Sequence, residues 1–421
     1  MSLPQDSYNH RSIDQIVRGL GAAHICPASV QERECAAIMK RCAKTVRLLQ
    51  AKASREEKKG RHRIARTYQR QLFECLPARL LAAYKACRAI DARRRKKFYG
   101  PSRPIAFEHI WKVAERLKDP HAPSHAIHRS KPKPRGGFRR YLEFDEFGTA
   151  KHKLFVNAIL PFASFHSSQF ALRRGRSAAC ESLLKVMNRL LLPRTRFIQL
   201  DVTDFYGSIS RSYLEEILPA PVAIIRSTLF LSGWNIDNRK LGCTMDRRGV
   251  PQGSAASSLV AEMVMANVLR DSAGQLADLL WLHSYSDNVG GFVLPNKDDV
   301  ALIERLRNAF STHPAGPFRI RLENSPVSRP SRWLGYSFIK SPRKKACAFL
   351  PTEVWQLKEM ELTTAFANAE TLQDRLNVCV RLQSYCSAFK LAAESRELFS
   401  EVIKFIRADL SYREGQSRDV R

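Results

Sequence analysis

Polar and apolar residues alternate from Arg196 to Val202, so Ile198, Leu200 and Val202 share one face of a strand and Phe197, Gln199 and Asp201 the other. The first face predicts a core contact. The second ends in a carboxylate just where the strand gives way to Asp204-Phe205-Tyr206-Gly207-Ser208. A carboxylate at a strand end, with an aromatic five positions on, suggests a metal site with a ring beside it. Taken alone, a strand ending in a turn-forming aspartate is the simpler reading.

Two later patterns bear on that choice. Gly249-Val250-Pro251-Gln252-Gly253-Ser254 demands an unusual backbone, and the serines after it open an apolar helix over Leu259–Leu269, whose Leu259/Met263 and Val260/Val264/Val268 recur at core-helix spacing. The stretch from Leu282 to Val293 reads as a hairpin with Asp287-Asn288 at its tip, since both residues tolerate positive φ in a two-residue turn. A second carboxylate is thereby presented on a tight turn.

Upstream, Leu72, Cys75, Leu76, Leu80 and Tyr84 recur at helical spacing, and Tyr99-Gly100-Pro101-Ser102-Arg103-Pro104 breaks that pattern. Residues 121–137, rich in Pro, Gly, His and Lys, predict a loop leading into a hairpin. Downstream, Ser341-Pro342-Arg343-Lys344-Lys345 forms a basic linker. Residues 351–412 show only helical periodicity, as in Leu357, Met360, Leu362 and Phe366 and then Leu376, Val380, Leu382 and Tyr385, which predicts three helices.

Charge changes the picture. Lys and Arg number 70 against 40 Asp and Glu, a balance of +30, with a pI near 10.1. Such an excess repels itself unless a polyanion neutralises it, and nucleic acid is the expected polyanion. Between Lys40 and Lys97 stand twenty Lys or Arg but only Glu56, Glu57, Glu74 and Asp91 as acids, ending in the run Arg93-Arg94-Arg95-Lys96-Lys97. This predicts a basic helical N-terminal extension over residues 1–100 that contacts phosphate, against the bland alternative of a solvated charged face. The 421 residues are enough for two or three packed lobes. No apolar run reaches eighteen residues, so no membrane span is expected. The N-terminus lacks the charged and apolar regions of a secretion signal. Ten scattered cysteines without a Cys-x-x-Cys indicate neither a zinc site nor a disulfide framework, and a reduced, cytoplasmic compartment is the expectation.

The motifs fall in a specific order. Asp201-x-x-x-x-Tyr206, Pro251-Gln252-Gly253 and Tyr285-Ser286-Asp287 resemble, in sequence order, the palm motifs of reverse transcriptases. Arg332-Trp333-Leu334-Gly335-Tyr336-Ser337-Phe338 resembles the primer-gripping hairpin that follows them. Lys131 to Arg140 resembles the fingers hairpin, and Phe170 to Ser177 the next fingers block of prokaryotic members. The helix from Ala256 to Glu262 resembles that of abortive-infection and defence-associated bacterial reverse transcriptases.

The resemblance implies an α+β right-hand polymerase. Its fingers would span 101–200, its palm, an antiparallel sheet packed on helices, 201–340 with a fingers insertion around 211–248, and its small helical thumb 341–421. It implies an RNA-directed DNA polymerase, acting by two-metal chemistry in which two divalent ions about 4 Å apart stabilise the attacking and leaving oxygens. Asp201 and Asp287, 86 residues apart in sequence, would carry the chemistry, with the Val202 carbonyl and Asn288 completing a site for Mg²⁺, or Mn²⁺ in its place. Arg139 or Arg140, the choice between them open, would bind triphosphate oxygens. Tyr206 would lie under the sugar and exclude a 2′-hydroxyl, opposite Gln252 and Gly253. Tyr285, Leu334, Gly335 and Tyr336 would contact the primer, and Arg173 and Arg176 the template. The partners implied are an RNA template or associated non-coding RNA, a DNA product and dNTPs. A protein partner or self-association stays open, and no membrane is involved.

Two positions depart from the family. Asn288 stands where a second aspartate is usual, and its amide oxygen can coordinate without compensating charge. The lysine expected shortly before Leu334-Gly335-Tyr336 is missing, with only Arg321 nearby. Three readings therefore remain: templated synthesis of DNA on RNA, untemplated or protein-primed DNA synthesis, and a catalytically dead nucleic-acid-binding scaffold.

Overall fold

The structure, a computed structural model, describes residues 32–98, 104–119, 121–132, 137–189, 194–237, 249–295, 297–341 and 344–418. In chain order the helices are α1 (Glu32–Lys58), α2 (His62–Glu74), α3 (Leu76–Phe98) and α4 (Phe107–Arg116), followed by strands β1 (His125–Pro132) and β2 (Phe138–Phe144). Then come α5 (Glu146–Ile159), α6 (Gly175–Arg189), β3 (Arg196–Thr203), α7 (Arg211–Ile217), α8 (Val222–Leu229), β4 (Asn235–Asp237) and α9 (Ala255–Asp271). The remainder is β5 (Leu280–Tyr285), β6 (Asn288–Val293), α10 (Asp299–Thr312), β7 (Arg319–Pro326), β8 (Ser331–Trp333), β9 (Tyr336–Ile339), β10 (Cys347–Phe349), α11 (Thr352–Ala367), α12 (Leu372–Ala388) and α13 (Glu394–Arg418). Mixed helices and mainly antiparallel sheets make this an α+β chain.

It divides into two compact units, each assembled from two stretches of sequence. The first joins residues 1–164 to 206–263, the second 165–205 to 264–421. In the first unit α1, α3, α4 and α5 share one core, with Leu72 of α2, Leu80, Ile110, Phe147 and Leu154 among its buried members. The expected N-terminal extension is thus, over its described residues, part of a core rather than an appendage; 1–31 and 99–100 lie outside the described residues. Helix propensity alone could not stabilise these helices, and burial of their apolar stripes does. Beside them β1 pairs antiparallel with β2 and parallel with β4.

In the second unit the sheet order is β5-β6-β3-β7, every pair antiparallel. Ile198, Leu200 and Val202 are buried as their alternation predicts, and Phe197 is buried on the other face against Phe292 and Trp333. The three C-terminal helices, α11 to α13, pack around Leu362, Phe366, Leu382 and Leu398. Four residues of the apolar periodicity read there, Leu357, Met360, Leu376 and Val380, are exposed instead, because these helices bury only one flank.

The helix after Gly253 begins at Ala255, four residues before the predicted apolar run. Ser254 Oγ accepts the backbone N–H groups of Ala256 (3.1 Å) and Ser257 (3.5 Å), which satisfies amides at the helix start.

Candidate active site

The register of the second unit's sheet assembles the carboxylates. Asp201, near the end of β3, stands directly opposite Asn288, the first residue of β6. The Val202 N–H donates to the Asp287 carbonyl oxygen at 3.0 Å, which ties the β5–β6 turn to the end of β3. Directly opposed antiparallel residues lie about 4.5–5.5 Å apart at Cα and face the same side, so Asp201, Asn288 and the turn residue Asp287 are neighbours. All three are half-buried, whereas Asp204 beyond the strand is exposed with φ at 48°.

The turn differs from its expectation by one residue. Its two central residues are Ser286 and Asp287, Tyr285 pairs with Asn288, and the positive φ (56°) falls on Ser286. Asn288 is therefore a strand residue. Its Nδ2 donates to Asp287 Oδ1 at 3.1 Å, leaving its own Oδ1 for another partner. The donor set of two carboxylates, one amide oxygen and the Val202 carbonyl is made of hard oxygens, the ligand chemistry of Mg²⁺ and Mn²⁺ rather than of zinc.

Sequence reasoning placed Arg321 only near this site. The register sets Arg321 on β7 directly opposite Asp201, on the flank away from Asn288, and Arg319 opposite Thr203; both arginines are exposed. Two cations thus line the same face as Asp201. No local pattern encodes this, because strand register is a property of the folded sheet.

Packing holds the hairpin beneath Tyr285. His283 is buried, its ring stacked on Phe170 (5.3 Å) and edge-on to Trp333 (6.0 Å). Its Nδ1 donates to the Trp281 carbonyl (2.5 Å), so its Nε2 accepts from Ser182 Oγ (2.9 Å), and burial pushes its pKa down. That keeps the imidazole neutral in a single tautomer. Segment 168–170 covers the outer edge of β5 through Ser284 N–H to Ser168 O (2.8 Å) and Phe170 N–H to Ser284 O (2.9 Å).

Other expected contact residues separate into accessible and packed ones. Tyr285 and Leu334 are half-buried, and Gly335 and Arg173 are exposed. Tyr336 is fully buried, its hydroxyl donating to the Ala388 carbonyl at 3.1 Å. Arg176 donates to that same carbonyl at 3.0 Å and lies 4.4 Å from the centroid of the Phe389 ring. Here Tyr336 and Arg176 join the Leu334-Gly335 turn to the end of α12, a packing role.

The first unit collects the residues expected to meet the nucleotide. Arg139 and Arg140 are exposed on β2, opposite Lys131 and Ser130; Lys133 to Gly136 lie outside the described residues. Two residues along β2, the Leu142 N–H donates to the Gln252 carbonyl at 2.9 Å. Gly253 has φ at 102°, and a Cβ there would sit 2.3 Å from the Leu142 carbonyl oxygen. The Tyr206 carbonyl accepts the Val250 N–H at 2.9 Å, and a Cβ on Gly249 (φ 68°) would come within 2.1 Å of it. Tyr206, Gln252, Gly253 and the β2 arginines are thereby fastened to one another by backbone contacts that only glycine permits.

Residues 131–323, a little under half of the chain, match the family described as reverse transcriptase (RNA-dependent DNA polymerase). Domains of that family are nucleotidyltransferases that bind nucleic acid and use divalent metal ions. No curated protein matches the sequence. Among solved structures the chain is similar to apo telomerase from Candida tropicalis truncated from its C-terminal domain, at 14% identity and TM-score 0.36, over 52% of this chain and 54% of that one. It is similar to telomerase from Candida albicans in complex with a TWJ fragment of telomeric RNA, at 13% and 0.36, over 67% and 57%. It is also similar to apo telomerase from Candida tropicalis, at 14% and 0.37, over 67% and 62%. The chain thus spans between 54% and 62% of the length of these telomerases.

Proposed function

We propose that the chain, through the reverse transcriptase domain at residues 131–323, is an RNA-directed DNA polymerase that adds deoxynucleotides to a primer 3′-hydroxyl. The observation that carries this reading is the register pair Asp201–Asn288 with its Val202–Asp287 hydrogen bond, which makes neighbours of two carboxylates far apart in sequence. Asp201 and Asp287, with the Val202 carbonyl and the Asn288 amide oxygen, would hold the divalent ions. When bound, those ions supply Lewis-acid stabilisation of the attacking and leaving oxygens. In this reading the second unit's sheet is the palm, β1 and β2 form the fingers hairpin and α11 to α13 the thumb.

The chain's own groups do the rest. Arg139 and Arg140 carry exposed guanidinium forks suited to bidentate phosphate contact. Tyr206 offers a ring against the sugar, and Gln252 and Gly253 the backbone opposite. Tyr285, Leu334 and Gly335 form the primer side, and Arg173 the accessible template contact. Arg321 and Arg319 put positive charge beside Asp201, where the triphosphate or departing pyrophosphate gathers its negative charge. Arg321→Gln should then raise the KM for dNTP, and an unchanged KM would remove it from phosphate binding.

Primer extension tests the reading: incorporation directed by an RNA template and lost in Asp201→Asn. Incorporation indifferent to template sequence would favour untemplated or protein-primed synthesis on the same residues. The neutral Asn288 is the observation that favours a dead scaffold, whose signature is strand binding without incorporation under any divalent ion. The resemblance of Ala256 to Glu262 to defence-associated enzymes supports a role in antiviral defence in bacteria. Plaque counts on a bacterial host carrying the wild type or Asp201→Asn test that role, and equal counts would refute it.

A further inference from the structure

Helix α1 has two faces of opposite character. Ile38, Cys42, Val46, Leu49 and Ala53 are buried in the first unit's core. On the outer face Lys40, Lys44, Arg47, Arg55 and Lys58 are all exposed, with exposed Ala51 completing a series that advances by four or three residues at each step. Such steps keep side chains on one line along a helix, so the cations form a straight stripe about 27 Å long at about 1.5 Å rise per residue.

The stripe is uncompensated. No acidic residue occurs between Cys35 and Arg55. Among the described residues none of the five cations forms an ion pair. Elsewhere cations are matched: Glu56 pairs with Lys59 and Arg61, and Asp278 with Lys297 and Arg305. Five like charges held in line by a rigid helix repel one another, and a polyanion relieves the repulsion.

We propose that this stripe is a sequence-independent docking site for the sugar–phosphate backbone of one nucleic-acid strand, separate from the residues of nucleotidyl transfer. A strand in duplex form presents one charge per about 3.4 Å of axis, so about eight phosphates pass along the stripe. A single row of cations tracks one strand. An anionic lipid surface is disfavoured, because a membrane-binding amphipathic helix needs its apolar face free and that of α1 is spent in the core. The proposal does not rest on the polymerase reading, since a chain without catalysis would still dock a strand here.

The test uses the full chain and fluorescent single strands of mixed sequence, RNA in one arm and DNA in the other, titrated from about 50 to about 200 mM salt. Replacing Lys40, Lys44, Arg47, Arg55 and Lys58 by Gln should weaken binding more than tenfold at low salt. It should also reduce the magnitude of the log K against log salt slope by about 3.5, from about 0.7 per lost contact on a single strand. Loss in both arms identifies the shared backbone as ligand, and loss in the RNA arm alone identifies RNA. A second variant, Arg47→Gln with Arg55→Gln, should remove about 1.4 of slope and keeps the test decisive if the fivefold variant does not fold. The charge-conserving pair Arg47→Lys with Arg55→Lys should retain the wild-type slope. Unchanged slopes and affinities in folded variants would overturn the proposal. So would loss of polyglutamate binding with strand binding intact, which would assign the stripe to an acidic protein. Any primer extension by the wild type on a short duplex should persist in the variants, which separates failure here from failure of the polymerase reading.

Discussion

Asn288 Nδ2 donates to Asp287 Oδ1 at 3.1 Å, so the neutral residue beside the turn steadies the neighbouring carboxylate rather than repelling it. Replacing it by aspartate removes the donor and sets a like charge next to Asp287 and opposite Asp201. Without divalent ions Asn288→Asp should therefore melt lower, by a few degrees for a loss of about 1 kcal/mol in this half-buried setting. With Mg²⁺ or Mn²⁺ its gain in Tm should exceed that of the wild type. A variant that melts at the wild-type temperature in EDTA, or gains no more from the ions, would show that Asn288 does not govern the charge of the site.

The second prediction concerns the glycines that fasten Tyr206 and Gln252. Gly249→Ala and Gly253→Ala each combine a strained positive φ, costing about 1–3 kcal/mol, with a Cβ forced against a carbonyl oxygen. Both should lower Tm by several degrees and weaken dNTP binding more than tenfold, whereas Gly274→Ala, where a Cβ meets nothing within 4 Å, should do neither. Wild-type dNTP affinity in Gly253→Ala would show that the Gln252–Leu142 contact does not position a nucleotide site.

Sugar selection is the third. Replacing Tyr206 by Ala should raise ribonucleotide incorporation relative to deoxynucleotide, because the ring is proposed to fill the space of a 2′-hydroxyl. Competition between ATP and dATP opposite one template base reads the ratio. A constant ratio in an active variant would leave Tyr206 a packing residue.

Stability should depend on pH through His152. It is buried on α5, stacked on Trp234 (5.5 Å) and edge-on to Phe144 (4.5 Å), with Nε2 donating to the Thr228 carbonyl at 3.1 Å. Burial pushes its pKa down to about 3. The unfolded imidazole titrates near 6.5, so between about pH 6.5 and 3 the unfolded chain holds the extra proton and stability falls as pH falls. His152→Gln should flatten the loss measured by denaturant unfolding below about pH 6.5, by up to about 1.4 kcal/mol per pH unit. Equal slopes for variant and wild type would place the acid sensitivity elsewhere.

Much of the site was legible in the sequence because its parts are local. The alternation at Ile198, Leu200 and Val202 fixed the buried face of β3, and Pro251-Gln252-Gly253 announced a strained turn before a core helix. What escaped depends on register and partner choice. The hairpin turn fell on Ser286-Asp287 because Asn288 pairs with Tyr285, which overrides the turn preference of asparagine. The position of Arg321 opposite Asp201 follows from a pairing between strands more than a hundred residues apart. Tyr336 lies within a motif that reads as a contact, yet the end of α12 buries it. The basic N-terminal stretch read as an extension because its charges dominate its composition, while the apolar stripe that roots it in a core is diluted among them.

That Asp201 at the end of β3 and Asp287 in the β5–β6 turn together seat metal-dependent nucleotidyl transfer is tested most directly by primer extension. The purified chain would be given an RNA template, a DNA primer, dNTPs and Mg²⁺ or Mn²⁺, with Asp201→Asn and Asp287→Asn beside the wild type. The expected result is templated extension by the wild type and a loss of at least about a thousandfold in each variant, as for removal of several kcal/mol of transition-state stabilisation, with Tm and strand binding retained. Extension by both variants at the wild-type rate would contradict it.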